Sequence, residues 1–293
     1  MNWDDVRVFL AVARSGQILA ASRRLNLNHA TVGRRVTALE KALQAKLLIR
    51  RTNGCDLTPE GEAFFETAER MEAEMLSARA AVGMTDSEVA GVVRIGATDG
   101  YGVGFLAPRL GQLGQRYPGL KIQLVPVPQS FSLSRREADI LITVDRPDTG
   151  RLIARKLVDY RLGLYASKAY AAAHGLPDDE EALKAHRLIG YVEDLIISPR
   201  LHYRSDFVRD WQSDFEISAV LGQLEAVRAG AGIGILHTFL ARQDNDLVAV
   251  LAHKYVSRSY WIVYHENSRN VRRISAVADF IVEETGRNKD LFT

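Results

Sequence analysis

The sequence predicts an α/β protein in three parts: a winged helix-turn-helix over residues 1–60, a long linker helix and hinge over 61–90, and a two-lobed α/β domain over 91–293. Three observations carry this. Ala20 to Glu40 (AASRRLNLNHATVGRRVTALE) is an arginine-loaded helical block broken once at a tight corner. Apolar residues then recur at heptad spacing from Phe64 to Val82. From Val92 onward, short apolar runs alternate with amphipathic stretches.

Trp3 to Ala13 places Val6, Phe9, Leu10 and Ala13 at i, i+3, i+4 and i+7, one apolar stripe of a helix that Ser15-Gly16 closes. A second helix runs from about Ile18 to Leu25. Asn26 to Asn28 is a three-residue corner, and the Asn28 side chain is suited to cap a third helix reaching about Ala42. On that helix Val32, Val36 and Leu39 face inward with Leu25 and Leu27, while His29, Thr31, Arg34 and Arg35 lie on outer faces. A short corner followed by an exposed polar first turn matches a helix-turn-helix, whose second helix enters the DNA major groove. Leu47 to Ile49 reads as a strand, Arg50 to Gly54 as a basic turn, and Cys55 to Thr58 as a return strand, which adds a wing.

Residues 1–60 carry ten Lys or Arg against five acids, net +5, whereas the whole chain is +2 and residues 61–293 are therefore −3. Cations are concentrated where phosphate contacts supply salt-dependent affinity. Any one Arg pair taken alone reads better as a solvated helix face; the corner spacing and the Arg50-Arg51 wing together favour DNA. The expected DNA-contacting set is Asn28, His29, Thr31, Gly33, Arg34, Arg35, Arg50 and Arg51.

Pro59 follows Thr58 as a helix starter after its cap. The pattern persists to about Val82, with Phe64, Ala68, Met71, Met75, Ala78 and Val82 spaced 4, 3, 4, 3, 4, a heptad seam. A helix of about 24 residues reaches roughly 36 Å, too long for a sixty-residue domain to bury. The expected partner is a second copy, giving a dimer that presents two recognition helices to a two-fold DNA site. The alternative is packing on its own chain, and alanine at two seam positions weakens the dimer seam.

Strands are predicted at Val92–Gly96, Leu120–Val125 and Asp139–Val144, with a helix from Tyr101 to Tyr117. A second run holds Leu162–Tyr165, Leu188–Tyr191, Glu216–Val220, the helix Gln223–Ala229 and Gly232–Leu236. The chain returns through Tyr260–Tyr264 to a final helix from Val271 to about Thr285. Such alternation implies a parallel sheet covered by helices.

Over essentially its whole length the chain resembles the LysR-type transcriptional regulators. The match is strongest from Phe9 to Gly61, through Phe9, Val12, Gly16, Ala20-Ala21, Leu25, Val32, Arg34, Leu39-Glu40, Leu47, Arg50, Leu57-Thr58 and Gly61. Gln17, Asn28-His29-Ala30-Thr31, Gly33 and Leu48 depart from the residues usual there, and His29, Thr31 and Gly33 stand where side chains meet bases. The resemblance implies a periplasmic-binding-protein-like effector domain, with lobe I at about 91–161 and 266–293 and lobe II at about 162–265. It also implies a homodimer or homotetramer on double-stranded promoter DNA, a small-molecule effector in the cleft between the lobes, and contact with RNA polymerase.

Open α/β sheets bind ligands beyond the carboxyl ends of their strands. The effector candidates are therefore Thr98, Asp99, Gln129, Ser130 and Thr143, and across the cleft Gly222, Gln223 and His237. Hydroxyls and helix-start N–H groups suit a carboxylate metabolite, although Asp99 argues against pure anion selectivity. His237 reads first as a satisfied structural histidine.

No GxSxG, HExxH or GxxxxGK[ST] string occurs, and the seven histidines show no metal-ligand spacing, so neither a catalytic centre nor a metal or other cofactor is expected. Gly230 to Gly234 imitates a dinucleotide loop but leads from helix to strand, the wrong order. Cys55 alone builds no disulfide framework, in keeping with a reducing cytoplasm, and redox sensing through it would require an activated thiolate. No export signal or run of 18 apolar residues is present, so a soluble cytoplasmic protein is expected. The rival readings are a solute-binding or enzymatic α/β domain with a helical head, and an architectural DNA binder indifferent to small molecules.

Overall fold

The computed structural model describes residues 2–51, 54–81, 89–126, 138–147, 151–196, 198, 201–269 and 271–293. They fall into two compact units, one holding the N-terminal helices and wing, the other nearly all of the chain from Val89 onward.

The first unit opens with α1 (Trp3–Ser15), capped by Asn2 and closed by Gly16 at φ 63. Next come α2 (Ile18–Leu25) and α3 (His29–Leu43). The corner between them works because Asn26 takes a left-handed conformation at φ 52, which asparagine tolerates, and Asn28 Oδ1 accepts the Ala30 N–H at 2.9 Å. Val32, Val36 and Leu39 are buried with Val6, Phe9 and Leu10, the inward set that the helical spacing predicts. The wing is β1 (Leu48–Arg51) antiparallel to β2 (Gly54–Leu57), with Leu48 opposite Leu57.

Helix α4 (Pro59–Ala81) starts as the sequence indicates: Thr58 Oγ1 accepts the Gly61 N–H at 2.9 Å and donates to Lys46 O at 2.6 Å. Gly61 is obligatory, since a Cβ there would lie 2.0 Å from Leu47 O. The first half of α4 packs on α1. Phe64 meets Phe9 at 5.4 Å between ring centroids, Ala68 is fully buried, and Arg14 is clasped by Glu69 and Glu72, the latter at 2.7 Å. Phe64 and Ala68 thus serve the chain's own core, where the heptad reading assigns them to a partner copy. Met71 is half-buried and Met75 exposed; the Ala78 side chain and Val82 lie outside the described residues.

In the second unit, β3 (Gly91–Ala97), β4 (Leu120–Pro126) and β5 (Ile140–Thr143) are parallel. So are β7 (Leu188–Gly190), β8 (Phe215–Glu216) and β9 (Ile233–His237). Two long strands join these groups: β6 (Leu152–Ser167) and β10 (Leu247–His265), antiparallel to each other. Among the described residues the sheet order is β4-β3-β5-β10-β6-β9-β7-β8. The sheet is therefore mixed rather than all parallel, and lobe boundaries at 161/162 and 265/266 would fall within or at the end of continuous strands. The first half of β6 is half-exposed and only the second half is buried, so its apolar run marks only part of the strand.

Short helices α7 (Lys168–His174), α8 (Glu180–Leu183), α9 (Arg204–Phe207) and α11 (Thr238–Ala241) accompany α10 (Val220–Arg228) and α12 (Arg272–Arg287). The helix expected over 101–117 is segmented into α5 (Asp99–Tyr101), a π turn at Gly102–Leu106, a 3-10 turn at Ala107–Arg109 and α6 (Leu110–Arg116). Pro108 lacks an N–H, and Gly102 presses onto Ala97, where a Cβ would lie 2.9 Å from Ala97 Cβ.

Candidate functional site

The outer face of α3 presents His29, Ala30, Arg34, Thr37 and Ala38 to solvent, with Thr31 and Gly33 half-buried beside them. Arg50 is exposed on β1, and its guanidinium lies 4.0 Å from where a Cβ on Gly33 would stand. A glycine at position 33 therefore leaves room for the wing arginine to lie against α3, so helix and wing offer one cationic surface. Arg34 and Arg50 have no carboxylate partner among the described residues. Arg51 is exposed but pairs with Asp56 across the wing. Asn28 uses its side chain as the cap of α3.

Arg35 is placed differently from the expected phosphate ligand. Its guanidinium lies 3.0 Å from Asp4 and 3.2 Å from Asp5, tying α3 to the start of α1. Cys55 is half-buried with its backbone N–H on Gly16 O at 2.7 Å. Burial raises its thiol pKa against the opposing pull of Arg50, which disfavours the reactive thiolate.

A second constellation forms where β3 and β9 end beside the long strands. Thr98 and Asp99 follow β3, His237 ends β9, and Tyr160 and Tyr260 project from β6 and β10. The His237 and Tyr160 rings stack at 5.0 Å and 6°, and Tyr160 stacks on Tyr260 at 4.1 Å and 15°. Gly100 lets the chain approach this stack, since a Cβ there would lie 3.3 Å from His237 Nε2. Thr98 Oγ1, His237 Nδ1 and Tyr260 Oη are buried without a hydrogen-bond partner. The Thr98 hydroxyl lies near enough to Tyr260 Oη to draw its pKa down, yet the two do not meet hydrogen-bond geometry. Burial alone pushes His237 down to about 3, so its imidazole is neutral, and burial raises Tyr160 and Tyr260 well above the ordinary phenol value. His237 is structural in its stacking yet not satisfied.

Asp99 reaches across to α10, where Oδ2 accepts the Leu221 N–H at 3.3 Å. That helix start, expected to receive an anion, already has a carboxylate. Two candidates belong to packing instead. Gln223, 2% exposed, donates from Nε2 to Ile217 O at 2.7 Å, and Gly222 leaves space for Ile217, whose Cγ2 would lie 2.7 Å from a Cβ there. Thr143 Oγ1 accepts the Asp145 N–H at 3.3 Å. Gln129 and Ser130 lie outside the described residues. Tyr160, Tyr260 and Gly100 escaped the sequence reading because their stacking depends on pairing between strands about one hundred residues apart.

Among the described residues no group of three His, Cys, Asp or Glu is arranged to hold a metal ion, and no helix is long and apolar enough to cross a membrane.

Residues 3–62 match the lysR family of bacterial regulatory helix-turn-helix proteins, and residues 86–286 match the LysR substrate binding domain. The chain is 30% identical over 301 residues to the HTH-type transcriptional regulator CrgA of Neisseria meningitidis, covering 98% of both chains. It is 32% identical over 292 residues to the regulator DmlR of Escherichia coli K12, covering 95% of this chain and 92% of that one. The solved structure of CrgA superposes with TM-score 0.63 at 28% identity over 98% of this chain and 99% of that one. A full-length OxyR variant from Pseudomonas aeruginosa shares the fold at TM-score 0.74 and 17% identity, over 96% and 98% of the respective chains. With the arginine-faced recognition helix, the wing and the two-lobed sheet all in place, the chain belongs to the LysR-type transcriptional regulators, DNA-binding proteins with an effector-binding domain.

Proposed function

We propose that this regulator responds to a small polar molecule bound among Thr98, Asp99, His237 and Tyr260. The observation that carries this reading is the trio of unpartnered polar atoms, Thr98 Oγ1, His237 Nδ1 and Tyr260 Oη, gathered at one end of the strands. Each is a buried group left without its hydrogen bond, a state that costs about 1–3 kcal/mol and that a ligand or an ordered water relieves. The proximity of Asp99 to α10 favours an uncharged polar effector over a carboxylate, since an added anion would meet Asp99 at the same helix start.

In the same reading, two or four copies act together. Exposed Met75 and the far half of α4 contribute to pairing, while α3 enters the major groove with Arg34 and Arg50 on flanking phosphates. Effector binding shifts the balance between arrangements of the DNA-binding pairs by favouring one of them, and polymerase contact changes with it. Regulation of promoter DNA places the protein in the bacterial cytoplasm and requires no catalysis by the chain.

The test is a mobility-shift titration on DNA upstream of the protein's own gene, with a metabolite library screened in parallel by thermal shift. Retarded complexes that weaken steeply with salt, and a hit whose stabilisation disappears in Thr98→Val with His237→Phe, support the proposal. A hit unaffected by that pair of changes removes the cleft assignment.

A further inference from the structure

Behind β6, on the face away from Tyr160, lies a cavity of about 400 Å³. Strand alternation puts Arg161, Gly163 and Tyr165 toward it and Tyr160 toward His237. Although residues 61–293 carry a net negative charge, Arg161, Lys168, Arg242 and Lys254 line this cavity against Asp244 alone. Asp244 is itself engaged by Arg228, Lys254 by Glu180 and Phe207 O, and Arg242 by Thr293 O at 2.8 Å. The Arg161 guanidinium and the Lys168 ammonium have no acidic partner among the described residues.

Arg161 is held in place rather than waving in solvent, because its guanidinium sits 4.4 Å from the centre of the Tyr255 ring. Tyr165 and Thr238, 7% and 5% exposed, line the same cavity, and their hydroxyls have no hydrogen-bond partner among the described residues. Leu247 and Ala249, on the same face of the sheet as Tyr165, add apolar wall, and the Tyr255 ring is half-exposed at its rim. The β6–β10 pairing breaks between Val250 and Tyr255, with Leu251 at φ 45, so Ala252 and Lys254 reach the cavity from a strained bulge.

We propose that this cavity is a second ligand site, taking a small organic carboxylate with an apolar body. The carboxylate pairs with Arg161 and Lys168, the Tyr165 and Thr238 hydroxyls complete its hydrogen bonds, and the body lies against Tyr255, Leu247 and Ala249. A volume of this size is ordinary for a small-molecule site, and a guanidinium already oriented by an aromatic face loses little freedom on meeting a carboxylate. The site shares β6 with the cleft but none of the cleft's polar atoms, so it stands whether or not an effector binds among Thr98, Asp99 and His237.

The test uses the full chain with phenylacetate and its uncharged isostere phenylacetamide, followed by isothermal titration calorimetry. Phenylacetate is expected to bind saturably, the amide at least about tenfold more weakly, and Arg161→Gln to lose at least about tenfold in phenylacetate affinity. Asp99→Asn and Thr98→Val are expected to stay within about twofold. Lys168→Gln, at an exposed position where folding is not at stake, should repeat the direction of the Arg161 result and decides the matter if Arg161→Gln fails to fold. Equal binding of acid and amide, no saturable binding up to about 10 mM, or insensitivity to the deciding charge change overturns the site. Loss in the Asp99 variant with none in the Arg161 variant overturns it too, and leaves the cleft as the carboxylate's address.

Discussion

Glu40 sits where α3 meets the wing, its Oε1 accepting the Leu47 and Leu48 N–H groups at 3.0 and 3.3 Å and its Oε2 pairing with Lys46 at 2.9 Å. Burial pushes this carboxyl upward, but the Lys46 bond and the two N–H donors outweigh it, and the pKa is lowered. The unfolded chain therefore binds this proton more readily, so the contribution is full above the ordinary carboxylate range and fades as pH falls through the folded value. Glu40→Ala leaves two buried N–H groups unpaired and is expected to lower stability by about 2–3 kcal/mol in urea denaturation. His237 runs on a different range. It stays neutral in the fold to about pH 3, whereas in the unfolded chain it ionises near 6.5. Stability from this group is thus intact above about pH 6.5 and declines below it, by about 2 kcal/mol at pH 5. Urea midpoints at pH 7.5 and 5 should differ less in His237→Phe than in the parent; equal differences would mean the imidazole takes its proton inside the fold.

At the scale of elements, the recognition helix and wing act through Arg34 and Arg50. Alanine at either should reduce the slope of log binding constant against log salt by about 1. Arg35→Ala should leave that slope alone and remove only about 0.5–1 kcal/mol of stability, because Asp4 and Asp5 hold this side chain. On α4, Met75→Glu places a charge on the exposed half of the apolar row and should raise the concentration for half-dissociation at least about tenfold in sedimentation. Helix boundaries and caps in the first sixty residues were legible because they rest on neighbours three or four positions apart, as at Asn28 and Thr58. What escaped depends on distant chain. The acids that claim Arg35 lie about thirty residues away, Phe64 and Ala68 find α1 before any second copy, and the half-exposed first half of β6 is interrupted by Arg155, Lys156 and Asp159. Likewise Thr98, Asp99 and His237 followed from strand ends, whereas the packing of Gln223 onto Ile217 O could not be read from its position at a helix start.

At the scale of the molecule, the long strands β6 and β10 run through both halves of the effector region, so a ligand near Tyr160 acts on a sheet common to both. An effector at one hundred times its dissociation constant should add about 2.7 kcal/mol to the unfolding free energy, read as a denaturant shift. Residues 89–293 expressed alone should retain that shift, since the cleft residues all belong to the second compact unit. The same topology dictates an order of birth. The core of the helix-turn-helix is complete once Ala68 has been made, but β10, which lies between β5 and β6, is the last strand to leave the ribosome. At ordinary translation speeds roughly 10–40 s separate those moments. A nascent polypeptide thus owns a finished grip for the duplex well before its sensor exists, with the edges of β5 and β6 exposed to mispairing until the missing strand arrives.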